Sequence, residues 1–343
     1  MNTIESSVKK AELISNNKIF ISKNIKLPFP LSKSTSGPGS GILSIALKFE
    51  NKNIKLIVTR DQNESFALRQ ENDNFQILKD GEIFLKNVEI LPILFHAPGQ
   101  AFLNIEDRCI YNCAFCHLSQ QEFFNEYNEE RFFNLILKLS NRRDFQAIAI
   151  TSGVYPSYSE LISKICNIIK KVRQKFSDIP IGVETCISKQ NELLILKKAG
   201  VDEIKINIQS SDKDLFNKIC PDFEYDNIFN NLKKAVKLFG KEKVTSNIIY
   251  GLGESDESVK KTIERLASIG VVPTLRKIRV NNFVKKKLEK AMSNRINDVS
   301  ADRILKISHE HKKILERYEL TTKTFKTMCH KCGCCDMVPF WDI

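Results

Sequence analysis

The sequence predicts an α/β fold: a partial (βα)6 barrel of the TIM type, preceded by a small β-rich region and followed by a cysteine-rich tail. Three observations support this. From about residue 101, β-like runs alternate with helical patterns, the first 95 residues lack that alternation, and most of the 10 cysteines are concentrated in two short groups. A chain of 343 residues has room for about two domains. We expect boundaries at 1–95, 96–298 and 299–343.

Six apolar segments are predicted as barrel strands, and the sequence between them supplies helical patterns. Parallel strands need such crossovers, and these are right-handed. Six units fall short of a complete eightfold barrel, and in barrels the chemistry gathers at the carboxyl ends of the strands. A further helix is predicted over Asp302–Tyr318. The predicted strands are Ala101–Ile105, Phe145–Thr151, Ile179–Thr185, Glu203–Gln209, Lys243–Gly251 and Val271–Val280.

The N-terminal region combines short β-like runs with turn signals. Asp80-Gly81 lies between two such runs and predicts a hairpin turn. The loop STSGPGSG, Ser34–Gly41, has backbone N–H groups that could bind an anion, but it lacks the GK[ST] ending of a nucleotide-binding P-loop. A plain linker is the alternative.

Composition excludes several classes of protein. With 42% hydrophobic and 27% charged residues, the chain is neither disordered nor fibrous. No apolar run reaches the ~18–20 residues of a membrane helix, and the polar N-terminus lacks the core of a signal peptide. We therefore expect a cytoplasmic protein without a membrane partner. The net charge of +12 comes from scattered lysines and names no partner, so nucleic acid is not expected.

Cysteine is the informative residue type. Cys109, Cys113 and Cys116 are spaced C-x3-C-x2-C in CIYNCAFC, directly after the first predicted strand. Three thiolates on one loop can bind three irons of a cubane cluster and leave the fourth iron open. A zinc site completed by His117 and accidental clustering are the alternatives.

This motif, with Phe115 before its last cysteine, resembles the signature of the radical S-adenosylmethionine (SAM) superfamily. The resemblance covers about residues 100–335. It is closest to the biotin synthase-related branch, which includes biotin synthase, methylornithine synthase, the hydrogenase maturases and the archaeal-type lipoyl synthases. It implies that Cys109, Cys113 and Cys116 bind a 4Fe–4S cluster whose open iron chelates SAM.

The resemblance also implies SAM contacts at later strand ends. Asn207 and Gln209 are two apart, so they should project from one face of the fourth strand and bind ribose. Glu184 could bind a ribose hydroxyl or the methionine amine, or be a solvated strand-end residue. The run NIIYGLGE resembles a G-x-I-x-G-x-x-E pattern beside adenine, with Asn247 in place of the first glycine. The implied cofactor-binding residues are Phe115, Thr151, Ser152, Gly153, Glu184, Asn207, Gln209, Ile249 and Gly251.

The second cysteine group, CHKCGCC, contains Cys329, Cys332, Cys334 and Cys335. We interpret it as the ligand set of an auxiliary iron–sulfur cluster. A zinc site and a redox dithiol are the alternatives, although adjacent cysteines fit awkwardly around one tetrahedral ion. Biotin synthase itself uses scattered cysteines and an arginine, so the archaeal-type lipoyl synthases are the nearer functional analogy.

Five other residues near the predicted strand ends receive weaker interpretations. Arg276 and Arg279 are three apart, so one should face into the barrel and one out. Cys220 is expected to be a buried or surface thiol, His96 is expected to be structural, and Cys186 could approach the barrel mouth.

The resulting hypothesis is a radical SAM enzyme that cleaves SAM to a 5′-deoxyadenosyl radical and abstracts hydrogen from an unactivated carbon. Sulfur insertion for cofactor biosynthesis is the leading outcome, and a carbon-skeleton or methanogen-type cofactor step is the runner-up. An iron–sulfur carrier and an RNA-modifying enzyme are the competing hypotheses from different functional classes. The expected partners are an electron donor such as ferredoxin or flavodoxin and a small or carrier-protein-bound substrate. No catalytic side chain is assigned.

Overall fold

The computed structural model describes residues 3–33, 42–118, 127–280, 282–292, 296 and 298–343. The loop Ser34–Gly41, considered above as an anion site or linker, lies outside them. None of the helices in the described ranges has the length and apolarity needed to cross a bilayer. The helices are α1 (Thr3–Asn16), α2 (Glu129–Ser140), α3 (Tyr158–Lys175), α4 (Gln190–Ala199), α5 (Lys213–Ile219), α6 (Tyr225–Phe239), α7 (Asp256–Ala267), α8 (Asn282–Met292), α9 (Ala301–Arg317) and α10 (Met328–Cys332).

The N-terminal region forms a sheet in the order β2-β3-β4-β1-β5-β6-β7, and an additional pairing of β3 with β7 closes six of these strands into a barrel. Asp80 and Gly81 both have positive φ in the two-residue turn between β6 and β7, which confirms the predicted hairpin. The strands are β1 (Lys18–Ile21), β2 (Ser32–Lys33), β3 (Leu43–Phe49), β4 (Lys52–Thr59), β5 (Phe66–Glu71), β6 (Asn74–Lys79) and β7 (Glu82–Leu91).

The second sheet contains the predicted parallel strands, which pair in the order β10-β11-β12-β13-β15-β16. β11 and β15 are buried along their whole length, as expected for strands covered on both faces. The partial (βα)6 barrel is thus confirmed. Its strands are β8 (Ile93–Leu94), β9 (Ala97–Pro98), β10 (Gln100–Asn104), β11 (Ala147–Thr151), β12 (Ile181–Glu184), β13 (Glu203–Lys205), β14 (Gln209–Ser210), β15 (Val244–Tyr250) and β16 (Val272–Lys277).

The tail enters the barrel from the end where the strands begin. The buried Glu203 carboxylate, at the start of β13, accepts hydrogen bonds from the backbone N–H groups of Lys326 (2.8 Å) and Thr327 (3.0 Å), and from the Thr327 hydroxyl (2.6 Å). Gln100, at the start of β10, exchanges two hydrogen bonds with the Met328 backbone. A Cβ on Gly182 would lie 2.1 Å from Thr327 Oγ1, so only glycine fits there. The tail therefore fills the interior of the barrel.

The last residues of the chain bind the N-terminal region. Lys10 and Asp342 form an ion pair at 2.6 Å with both side chains buried, and Lys52 donates to the Asp342 carbonyl at 2.8 Å. The Asp342 carboxylate also accepts from the Val338 N–H at 2.7 Å. These contacts join α1 and β4 to the end of the tail, so the N-terminal barrel holds the tail in place.

One sequence expectation was wrong in detail. The fourth barrel strand does not run from Glu203 to Gln209: β13 ends at Lys205, and Gln209 follows in the left-handed region (φ 63°) at the start of β14. The polar, basic stretch after Val280, where the sequence shows no clear strand, forms α8. In addition, α1 was not predicted within the β-rich region. Its apolar face packs against the C-terminal α9, a partner distant in sequence.

The Glu203 anchor can be tested by Glu203→Gln. An amide in place of the carboxylate would turn an N–H toward the tail donors, and we expect a loss of about 3 kcal/mol in the free energy of unfolding. Chemical denaturation measures this, and thiol labelling should show Cys332 becoming accessible. Glu257→Gln, which removes a surface carboxylate on α7, should change neither quantity. Unchanged stability and labelling in Glu203→Gln would show that the tail docks without this carboxylate.

Buried His311 predicts acid sensitivity. Burial, aided by the nearby charge of His330, lowers the pKa of His311 to about 3. Between pH 6.5 and 3 the unfolded chain is protonated at this residue while the native chain is not, so stability falls as the pH falls. At pH 5 the free energy of unfolding is lower by about 2 kcal/mol for this reason. The difference between the unfolding free energies at pH 7.5 and pH 5 should therefore be smaller by this amount in His311→Leu than in wild type. His309→Leu, exposed on the same helix, should behave as wild type.

Candidate active site

The first cysteine group lies on a loop held rigidly against the next strand end. Ile110 N–H donates to the Val154 carbonyl (2.8 Å) and Gly153 N–H donates to the Glu106 carbonyl (2.9 Å). A Cβ on Gly153 would lie 2.1 Å from the Arg108 carbonyl oxygen, so glycine is needed for this approach. Glycine in the sequence TSG therefore has a packing role in seating the cysteine loop.

A cavity occupies the barrel interior beneath this loop. Eight of the nine predicted cofactor-binding residues line it, and the exception is Gly251. Gly251 instead forms a turn at φ 93°, where its N–H donates to Glu254 at 2.8 Å. The predicted residues lining the cavity are Phe115, Thr151, Ser152, Gly153, Glu184, Asn207, Gln209 and Ile249.

Both cysteine groups open into this one cavity. Cys109, Cys113 and Cys116 line it from the loop after β10, where the strands end, whereas Cys329 and Cys335 line it from the tail, which enters where the strands begin. Cys329 and Cys335 also line a smaller adjoining cavity together with the other two tail thiols, Cys332 and Cys334. The fold thus places the two groups on either side of a shared interior space.

The spacing of the thiols bears on which metal group they fit. In the part of the chain that the structure describes, no three His, Cys, Asp or Glu side chains converge closely enough to hold a single metal ion. A tetrahedral zinc site requires such convergence. In an iron–sulfur cluster each thiolate binds a different iron, so the sulfur atoms remain apart. His117, the fourth ligand of the zinc alternative, does not line the cavity.

Two further thiols lie beside the first group. Cys220 and Cys186 both line the cavity. Burial raises the pKa of the Cys116 thiol to about 12, so any metal bound there must displace a proton. Cys220, expected to be a buried or surface thiol, is buried and also lines the cavity.

On another wall of the cavity, Asn207 bonds to residues of both β12 and β15. Asn207 donates to the Glu184 carboxylate at 2.7 Å and accepts from the Asn247 N–H at 3.0 Å. The Asn247 side-chain oxygen is buried with no hydrogen-bond partner among the described residues. A bound ligand that places a hydrogen-bond donor here would satisfy this oxygen. The unpaired oxygen therefore fits a polar ligand subsite.

Gln209 is the free member of the predicted ribose pair. It adopts a left-handed backbone conformation, which costs a non-glycine residue about 1–2 kcal/mol. Its side-chain amide lines the cavity and bonds to none of the described residues. Strain of this kind at a cavity wall is typical of ligand-binding positions.

The tail side of the cavity is strongly cationic. The Cys329 sulfur accepts hydrogen bonds from Lys205 (3.2 Å) and Arg276 (3.1 Å), and Arg276 also pairs with Asp336 at 2.7 Å. Burial alone would lower the pKa of Lys205, but the nearby Cys329 and Glu184 charges outweigh it and raise that pKa. Lys205 and Arg276 thus place two positive charges beside the Cys329 sulfur.

Comparison with known proteins agrees with this geometry. Residues 103–266 match the model of the radical SAM superfamily. Over these residues, just under half of its length, the chain is similar to the radical SAM superfamily. The crystal structure of methylornithine synthase superposes with a TM-score of 0.52 at 14% identity over 70% of both chains, which shows the same fold.

Curated relatives connect the radical SAM region with enzymes. Biotin synthase from Geotalea daltonii is 27% identical over 153 residues, 43% of this chain and 45% of that protein. A protein named "Probable GTP 3',8-cyclase" from Saccharolobus solfataricus is 23% identical over 175 residues, 49% of this chain and 53% of that protein. The chain thus spans about half the length of the curated relatives it matches. Together with the family match, these relatives agree with the predicted resemblance to the radical SAM superfamily and its biotin synthase-related branch.

Several cavity residues escaped sequence reasoning. Lys55 reaches the cavity from β4 of the N-terminal barrel, and no local signal marks it. His96, expected to be structural, also lines the cavity. Arg276 and Arg279 were expected to face opposite ways, yet both line it, because β16 ends at Lys277 and strand alternation no longer governs Arg279.

The different bonding of Asn207 and Gln209 predicts different mutant behaviour. Gln209→Ala should weaken SAM binding roughly fivefold to tenfold, the equivalent of about 1 kcal/mol per lost hydrogen bond, without destabilising the fold. Asn207→Ala should weaken SAM binding and also lower the melting temperature, because it breaks two internal hydrogen bonds. Equilibrium SAM binding and thermal denaturation measure the two effects. Full SAM affinity in Gln209→Ala would place the ribose elsewhere.

Proposed function

We propose that Cys109, Cys113 and Cys116 bind a 4Fe–4S cluster with SAM, and that the tail cysteines bind an auxiliary iron–sulfur cluster across a shared substrate cavity. The observation that carries this proposal is the opening of both cysteine groups into one interior space. When bound, the first cluster and SAM supply a 5′-deoxyadenosyl radical, formed when one electron breaks a C–S bond of SAM.

The protein's own residues would bind SAM and the substrate and orient them. Glu184, held by Asn207 and by Lys205 at 3.3 Å, presents a fixed carboxylate toward the SAM side of the cavity. Gln209 offers a free amide for a ribose hydroxyl. Apolar wall residues such as Ile249 and Phe115 exclude water, which protects a reactive carbon radical from side reactions.

Sulfur insertion is the outcome that this arrangement supports best. A substrate held between the two cysteine groups would have its radical carbon close to a soft sulfur donor at the tail. The likeness to biotin synthase supports this reading. The likeness to the protein named as a GTP cyclase supports the second candidate, a carbon-skeleton step without sulfur transfer. The electron donor is proposed to be a ferredoxin or flavodoxin.

The first cysteine group is tested by replacing Cys109, Cys113 and Cys116 together with alanine. After anaerobic reconstitution, this variant should lose the iron of one cluster and form no 5′-deoxyadenosine under a strong reductant. Cys166→Ala removes a buried thiol on α3 outside the cavity. This variant should keep both its iron content and the formation of 5′-deoxyadenosine. SAM cleavage by the triple variant would overturn the proposed site.

The tail group is tested by replacing Cys329, Cys332, Cys334 and Cys335 with alanine. Because Glu203 anchors the tail ahead of these residues, docking should survive and SAM should still be cleaved. Iron content and EPR should show the loss of one cluster. Zinc in the native tail, or unchanged iron in the variant, would contradict an auxiliary cluster. If the cluster is present but 34S introduced by reconstitution never reaches a product, the carbon-skeleton alternative is favoured.

A further inference from the structure

Arg279 lies in the wall between two cavities. It follows the end of β16 by two residues, and its half-buried side chain lines both the main cavity and an outer cavity of about 640 Å³. The outer cavity is bounded by the end of α1, by the N-terminal barrel near Phe66 and by α8. Its volume falls in the range of small-molecule sites. A molecule passing from it to the cysteine groups would meet the Arg279 guanidinium.

Among the cations near this wall, Arg279 has the most unused bonding capacity. Arg276 pairs with Asp336, Lys205 pairs with Glu184, and Lys277 donates to backbone carbonyls of α1. Within the described ranges, Arg279 donates a single hydrogen bond, to the Cys335 carbonyl at 3.2 Å, and has no carboxylate partner. A guanidinium carries five N–H donors. Most of its fork is therefore open to an incoming anion.

The residues around Arg279 indicate which class of anion it binds. The planar fork of arginine matches a carboxylate in bidentate geometry. The other charged residues of the outer cavity are mixed in sign, so it lacks the dense positive charge that a polyphosphate or nucleic acid would need. Beyond Arg279 the wall of the main cavity includes the apolar side chains of Phe102 and Ile206. The other charged residues of the outer cavity are Lys18, Lys79, Lys277, Lys285, Glu12, Glu64, Glu289 and Asp298.

We propose that Arg279 binds the carboxylate of an aliphatic monocarboxylic acid, which enters through the outer cavity and extends its carbon chain between the two cysteine groups. This rests on the proposed function and deepens it, because it assigns the substrate a free carboxylate. A carrier-bound acyl group, whose carbonyl is an uncharged thioester or amide, lacks the charge that Arg279 would recognise.

The test compares linear monocarboxylates of four to ten carbons with the matching primary amides. Calorimetry on the reconstituted full-length protein with SAM should show at least tenfold tighter binding of the best carboxylate than of its amide. Arg279→Gln should abolish that preference and leave amide binding unchanged. Arg279→Lys, which keeps the charge but not the fork, should retain part of it. Arg265→Gln, on the surface of α7, should match wild type.

Three results would overturn the proposal: no carboxylate in the series binds, carboxylate and amide bind equally to wild type, or an alkyl phosphate binds more tightly than the carboxylate of the same length. If Arg279→Gln fails to fold or to load iron, the proposal is tested by comparing the carboxylate preference of Arg279→Lys with that of wild type. An unchanged preference in Arg279→Lys would then count against the proposal. SAM cleavage is measured in parallel. Its absence in wild type contradicts the proposed function, whereas a wild-type protein that cleaves SAM but binds carboxylate and amide equally contradicts only the role of Arg279.

Discussion

The arrangement of the site depends on one buried carboxylate. Glu203 has no exposed surface and accepts three hydrogen bonds from Lys326 and Thr327, which brings the tail into the barrel just before its first cysteine. A buried carboxylate is costly unless its oxygens are bonded, so the barrel and the tail stabilise each other at this point. Gly182 provides the space that the Thr327 side chain needs.

Once the tail is inside, two cations of the barrel contact its first cysteine. Lys205 and Arg276 both donate to Cys329, while Asp336 balances Arg276 on its other side. At the other cysteine group, burial raises the pKa values of Cys109 and Cys116. The two groups therefore face one cavity with different electrostatic environments. Such a difference would give two bound clusters different redox properties.

The N-terminal barrel contributes to the site as well as to stability. Lys55 of β4 bonds through its backbone N–H to the Cys334 carbonyl and through its ammonium to the His96 carbonyl. The Lys10–Asp342 ion pair ties α1 to the last residues of the chain. The N-terminal region thus contacts the tail through both β4 and α1. The cavity is lined by residues of the N-terminal region, the second barrel and the tail.

The sequence by itself determined the strand-helix alternation, the hairpin at Asp80 and Gly81, and the family signature formed by Cys109, Cys113 and Cys116. These features are local, since each depends on periodicity, turn chemistry or spacing within a few residues. Most implied SAM contacts also line the cavity, because parallel strands bring their carboxyl ends together. Only the tertiary structure decided that the tail threads into the barrel, that Lys55 and Arg279 reach the cavity, and that Gln209 leaves the strand. Each of these depends on contacts between residues far apart in sequence, and such contacts leave no periodic trace in the chain.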